Sequence, residues 1–259
     1  MTLEVKKLEF AYKKSAVLKG VDFSAEAGQC ICVLGENGAG KTTLFRCLLG
    51  FLNTYQGEIT VDGDNGKTLS ARETARRIAY IPQSYAPTFN YTVFEMVLMG
   101  TNILTGKFRT PGIEERKSVG IMLEMMNISR LAERGFGELS GGERQLTLIA
   151  RALAQKSRIL IMDEPTANLD YGNQFRVMQQ VRKLTESGYL IIMSTHNPEH
   201  ALLYSDKVLV LKKGRAVMYG EPESVLSPAA IKEIYGVTVE LQKIHTQWGD
   251  VPVFVPGIE

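Results

Sequence analysis

The chain has 259 residues, 44% of them hydrophobic, enough to build one large α/β domain or a compact domain with a subdomain. Thirty basic residues against 28 acidic ones leave a net charge of +2, too balanced to imply nucleic-acid binding by bulk electrostatics. No apolar run approaches the roughly 20 residues needed to cross a bilayer, and the opening MTLEVKKLEF lacks the apolar stretch of a secretory signal, so a cytoplasmic protein is expected.

In chain order, the strand-like runs LEVKKLEFAY and VLKGVDFSA lead through the apolar strand CICVLG into a helix, KTTLFRCLLGFL. After GEITVDG, Ser70 and Glu73 form an S-x-x-E capping box that opens a short helix before the strand RIAYIP. From about Thr92 to Leu139 apolar residues recur at helical spacing, in TVFEMVLMG and VGIMLEMMN, with Thr92 and Glu95 as another box. The pattern predicts a helical subdomain inserted at about 91–155.

Strand and helix then alternate again through RILIMDEP, NQFRVMQQVRKLTESG and YLIIMSTH, followed by the hairpin-like KVLVLKKGRAVMYG. Such alternation predicts a parallel sheet covered on both faces, built from about 1–90 and 156–235. The remaining stretch, about 236–259, is β-prone with Gly and Pro breaks and reads as a small appendage. Cys30, Cys32 and Cys47 cannot all pair, and no zinc spacing links them to His196, His200 or His245, so buried free thiols are expected. His200 and His245 fit no motif, and MLEMMN reads as helical core or a contact surface.

Three segments carry chemistry. GENGAGKTT, Gly35 to Thr43, has the G-x-x-x-x-G-K-[ST] spacing between a predicted strand and a predicted helix. Its glycines let backbone N–H groups wrap phosphates, Lys41 would reach the β- and γ-phosphates, and Thr42 would ligate magnesium. ILIMDEP places Asp163 and Glu164 at the carboxyl end of a strand, where Asp163 can hold magnesium and Glu164 can deprotonate an attacking water. LSGGERQ, Leu139 to Gln145, puts Ser140 and Glu143 in a capping box ahead of QLTLIARALAQ. It looks like a second phosphate-binding helix start, without a lysine.

The ordered set of Gly35 to Thr42, Gln83, LSGGERQ, ILIMDEP, ANLD and His196 resembles the nucleotide-binding subunit of an ATP-binding cassette (ABC) transporter over nearly the whole chain. The resemblance implies a P-loop α/β fold with a RecA-like parallel-sheet core, an N-terminal antiparallel β-subdomain and an inserted helical subdomain carrying the signature. It implies ATP and Mg2+ as ligands, with ATP contacts from Tyr12, Gly35, Glu36, Asn37, Gly38, Ala39, Gly40, Lys41, Thr42 and Thr43. Thr42, Gln83 and Asp163 would attend the metal, and Lys41, Gln83, Glu164 and His196 the chemistry.

In that family two chains sandwich two ATPs head to tail, so Leu139, Ser140, Gly141, Gly142, Glu143 and Gln145 would complete the partner's site. The missing lysine follows, since the partner supplies it. Asp170 of ANLD would communicate across the dimer, although an Asp there could equally cap the next helix.

A transporter motor, docked through the subdomain after Gln83 onto a separate permease at the cytoplasmic face, is favoured over a soluble ABC ATPase. Soluble repair-type members carry a long coiled-coil insertion that the short span from Lys41 to Asp163 does not hold, and translation-type members usually carry two cassettes in one chain where a single set of motifs is seen here. SYAPTFNYTVFEMVLMG and the tail YGVTVELQKI…GDVPVFVP are similar to ATPases of iron–siderophore, haem and cobalamin uptake, with zinc or manganese or another small solute as the alternative. A substrate-binding protein would then act indirectly, and no nucleic-acid partner is expected.

Overall fold

The computed structural model describes residues 1–105, 111–247 and 249–257. Its centre is a six-stranded sheet in the order β10-β9-β3-β8-β7-β6, formed by β3 (Cys30–Leu34), β6 (Ile78–Ile81), β7 (Ile159–Met162), β8 (Leu190–Thr195), β9 (Lys207–Lys212) and β10 (Arg215–Gly220). Five strands run parallel and β10 closes one edge as an antiparallel hairpin with β9. A second sheet, β2-β1-β4-β5, is antiparallel and built from β1 (Thr2–Tyr12), β2 (Ser15–Glu26), β4 (Gln56–Val61) and β5 (Asp64–Asn65).

The apolar run CICVL is continuous because both faces of β3 are covered. Ile31 and Val33 join a core with the antiparallel sheet and α1 (Lys41–Leu48), where Leu3, Phe23, Leu44 and Phe45 also lie. Cys30, Cys32 and Leu34 face the opposite core. That core collects α3 (Val93–Leu98), α5 (Ile113–Met125), α6 (Gly141–Ala154), α7 (Tyr171–Glu186), α8 (Pro198–Tyr204) and α10 (Pro228–Tyr235). The three cysteines are free and buried, and burial raises each thiol pKa.

Between β6 and β7 the chain is helical: α3, α4 (Asn102–Thr105), α5 and α6, with 3-10 turns at Met99–Thr101, Ser129–Leu131 and Phe136–Glu138. All three capping boxes form, opening α2 (Ala71–Arg77), α3 and α6, each with the cap hydroxyl accepting from the Glu N–H and the Glu carboxylate accepting from the cap N–H. The β-prone end becomes a two-stranded hairpin, β11 (Val239–Thr246) with β12 (Gly249–Pro256).

Three short helices, α8, α9 (Pro222–Val225) and α10, stand where the sequence reading offered none. Each begins with proline at its first position, which fits because that N–H has no intrahelical partner. None is longer than 8 residues, too short to show a periodic stripe.

Candidate active site

The loop between β3 and α1 forms the floor of the site. Gly35 cannot carry a side chain, because a Cβ there would lie 2.4 Å from the Leu211 carbonyl oxygen. Gly40, at φ 110°, turns the chain into α1 and supplies no side-chain cap, and no acidic residue occupies the first turn. The leading N–H groups of α1 are therefore left without side-chain partners, which suits them to an anion.

Lys41 is 7% exposed; its Nζ donates to the Gly35 carbonyl at 2.6 Å and lies 3.5 Å from Glu164 Oε1. A bound phosphate would compete for this cation. The ends of β7 and β8 bring the acids in from the other side. Asp163 Oδ1 accepts from Ser194 Oγ at 2.7 Å, while Oδ2 accepts from Thr42 Oγ1 at 3.3 Å and from Tyr80 OH at 3.4 Å. Burial first, then the Asp163 charge, pushes the Tyr80 phenol up to about 12, so it stays a donor at neutral pH.

Glu164 takes up a left-handed backbone conformation, φ 46°, with its N–H held by Ser194 Oγ at 2.9 Å. The turn separates the two neighbouring acids. Asp163 stays against Thr42, and Glu164 reaches Lys41 and His196, whose Nδ1 is 3.3 Å from Glu164 Oε2.

These groups line one cleft of about 510 Å³ with Glu36, Asn37, Gly38, Gly40, Thr43 and Gln83. Gly35 and Ala39 shape the loop beneath it. Tyr12 is outside the cleft lining; it is 40% exposed at the end of β1, edge-on to Phe10 and 3.4 Å from Arg46 Nη1. Val17, Tyr80 and Ser194 were not singled out in the sequence, although a serine inside the apolar strand LIIMST is a polar group that must find partners.

The signature lies elsewhere. None of Leu139 to Gln145 lines the cleft. Ser140 and Gly141 are exposed at the start of α6, Glu143 is partly covered, and Leu139, Gly142 and Gln145 are buried. Asp170 caps α7 through a 2.8 Å bond from Asn173 N, and this N–H is the first reason its carboxyl sits below the usual range. A Cβ on Gly142 would meet Asn173 Oδ1 at 2.4 Å and one on Gly141 would meet Leu169 Cδ2 at 2.9 Å, so the signature packs on the ANLD loop and the first turn of α7 through the absence of side chains.

Donors of this type suit a hard cation, since Thr42 and Asp163 offer oxygen only and converge on one point beside the phosphate loop. Among the described residues no cluster of three His, Cys, Asp or Glu side chains forms a separate metal cage. Mg2+ commonly takes one or two protein oxygens and completes its shell with phosphates and water, so the pair fits.

Residues 18–167 match the family model described as ABC transporter. The chain belongs to the ABC transporter family. Within it the chain is an ATP-binding, ATP-hydrolysing subunit. It is 36% identical to the cobalamin import ATP-binding protein BtuD of Halobacterium salinarum, over 92% of this chain and 60% of that protein. It is 32% identical to the petrobactin import ATP-binding protein FpuC of Bacillus anthracis, over 98% of this chain and 92% of that one. Its fold superposes with a TM-score of 0.88 on a chain from an inward-facing metal-chelate type ABC transporter, at 30% identity, covering 100% of this chain and 98% of that one. No described helix is long and apolar enough to cross a membrane.

Proposed function

We propose that this ABC subunit powers an importer of iron–siderophore, haem or cobalamin, as one half of a head-to-tail homodimer docked on a separate permease. The observation that carries the dimer is the division of the phosphate-binding parts: Lys41, Thr42, Asp163, Glu164 and His196 share one cleft, and Ser140 to Gly142 do not reach it. A second copy, turned head to tail, supplies the missing half. Likeness to the cobalamin and petrobactin import proteins supports the substrate class.

The loop amides and Lys41 bind and orient the β- and γ-phosphates, and Glu164 accepts the proton of the attacking water, poised by His196. Mg2+, held by Thr42 and Asp163 with Gln83 beside it, would neutralise charge on the phosphates. Ser140, Gly141 and Gly142 of the partner, with N–H groups at a helix start, would close over the γ-phosphate.

A groove of about 650 Å³ supports the docking of a permease segment through the chain after Gln83. It lies beside the helical stretch and is lined by Phe51, Lys67, Ala75, Tyr85, Ile103 and Arg151 among others. Phe51 is 68% exposed there, a large apolar side chain left largely uncovered by the described residues.

Steady-state hydrolysis and fluorescent-nucleotide binding test the catalytic assignment. Glu164→Gln should lower the rate at least about 100-fold while leaving ATP affinity within a factor of three. Near-normal turnover in that variant would remove Glu164 as the base.

A further inference from the structure

His196 stands in a two-residue connection between β8 and α8. Two local bonds shape that turn: Asn197 N donates to Thr195 Oγ1 at 3.1 Å, and the Asn197 side chain caps α8 by accepting from Glu199 N at 2.9 Å. A third comes from 39 residues away in sequence, where the Tyr235 hydroxyl donates to the backbone carbonyl of His196 at 3.0 Å. Nothing in the phosphate loop, the acids or the signature accounts for this bond.

Tyr235 is the last residue of α10, and that helix is well fixed. Ser227 caps its start and Gly236, at φ 73°, ends it. Ala230, Ile231 and Ile234 are buried in the core beneath the sheet. Lys212, at the end of β9, pairs with Glu233 Oε1 at 3.0 Å and donates to the Glu233 carbonyl at 3.1 Å. β11 and β12 pack on α10 and α8, with Leu241 and Phe254 against the same core. The hydroxyl is thus presented from a framed helix end rather than from a loose tail. Burial, with Cys32 and Glu36 close by, holds its phenol well above the ordinary tyrosine range, so it remains a donor at any working pH.

We infer that Tyr235 is a positioning residue for ATP hydrolysis: its hydroxyl pins the His196 carbonyl and so sets where the imidazole meets Glu164 and the γ-phosphate. The segment after β10 thereby acts on the catalytic turn. The inference rests on the assignment of His196 to the hydrolytic site. Losing one such bond leaves the side chain present but less often in the productive orientation, which lowers turnover without weakening ATP binding.

The test uses the full chain and three variants, Tyr235→Phe, His196→Ala and the double variant, with single-turnover kinetics where rates are low. Tyr235→Phe keeps the ring and its packing. It should lower kcat about three- to ten-fold and leave KM for ATP unchanged, with no more than the modest fall in melting temperature that one lost hydrogen bond brings. In the His196→Ala background it should add no further loss, because the residue acts only through His196. Wild-type kcat in Tyr235→Phe, a loss that multiplies with that of His196→Ala, or a raised KM for ATP with kcat unchanged would each overturn the inference. If His196→Ala itself hydrolyses ATP like wild type, the assignment of His196 fails and takes the inference with it. That outcome is distinguished from the others by the single variant alone.

Discussion

Asp163 and Glu164 are chain neighbours with different surroundings, and the left-handed backbone at Glu164 is what parts them. A non-glycine residue held at φ 46° costs on the order of 1 kcal/mol or more. Ser194 is the group that holds both acids, donating to Asp163 Oδ1 and accepting from Glu164 N. Ser194→Ala should therefore destabilise the fold by about 1–3 kcal/mol in urea unfolding, since it orphans a buried carboxylate oxygen and an N–H. It should also reduce turnover, while Ser194→Thr recovers part of both. Unchanged stability in Ser194→Ala would mean that water replaces the hydroxyl. Lys41, Thr42 and the two acids were legible in the sequence because their spacing to glycines and to a strand end is fixed by the phosphate geometry. Ser194 and Tyr80 were not, because they act through the acids and carry no spacing of their own.

At the scale of elements, α1 and α6 both begin with glycine-rich turns but end their N–H accounts differently. α1 leaves its leading donors without side-chain caps, whereas Ser140 Oγ accepts from Glu143 N at 3.3 Å and donates to Glu143 Oε2 at 2.9 Å. The Ser140 backbone N–H is the first cause of the lowered Glu143 pKa, with the Ser140 hydroxyl and Arg134 and Arg130 adding to it. A lowered folded value means that this stabilisation is complete above the usual glutamate pKa of about 4.3 and is lost as pH falls through the folded value. Thermal melts of wild type and Glu143→Gln should differ at pH 7, with the gap shrinking as the pH falls below the usual glutamate range; a gap that stays constant on acidification would contradict a charged cap. Gly142→Ala should damage hydrolysis more than nucleotide binding, because its Cβ would displace Asn173 rather than touch the chain's own cleft. Equal losses of both, measured by titration and turnover, would place Gly142 in the cis site. The boxes opening α2, α3 and α6 were readable from the spacing of Ser or Thr to Glu alone. α8 and α10 were missed because 7 and 8 residues are too few to display a stripe, even with proline and a capping side chain at their starts.

For the molecule as a whole, the parallel sheet was legible from the alternation of strand and helix and the helical stretch between β6 and β7 from its helical period, whereas the antiparallel pairing of the first strands was implied only by the family resemblance. What periodicity could not give is the distance between the signature and the cleft. That separation is the basis for a shared site, and the most direct measurement of it is ATPase rate against protein concentration, with size-exclusion chromatography of Glu164→Gln in ATP and magnesium. A rate per chain that rises with concentration, together with an ATP-trapped dimer in the variant, is the predicted result. A constant rate per chain from a species that remains monomeric would contradict it, and Ser140 to Gly142 would then need another role.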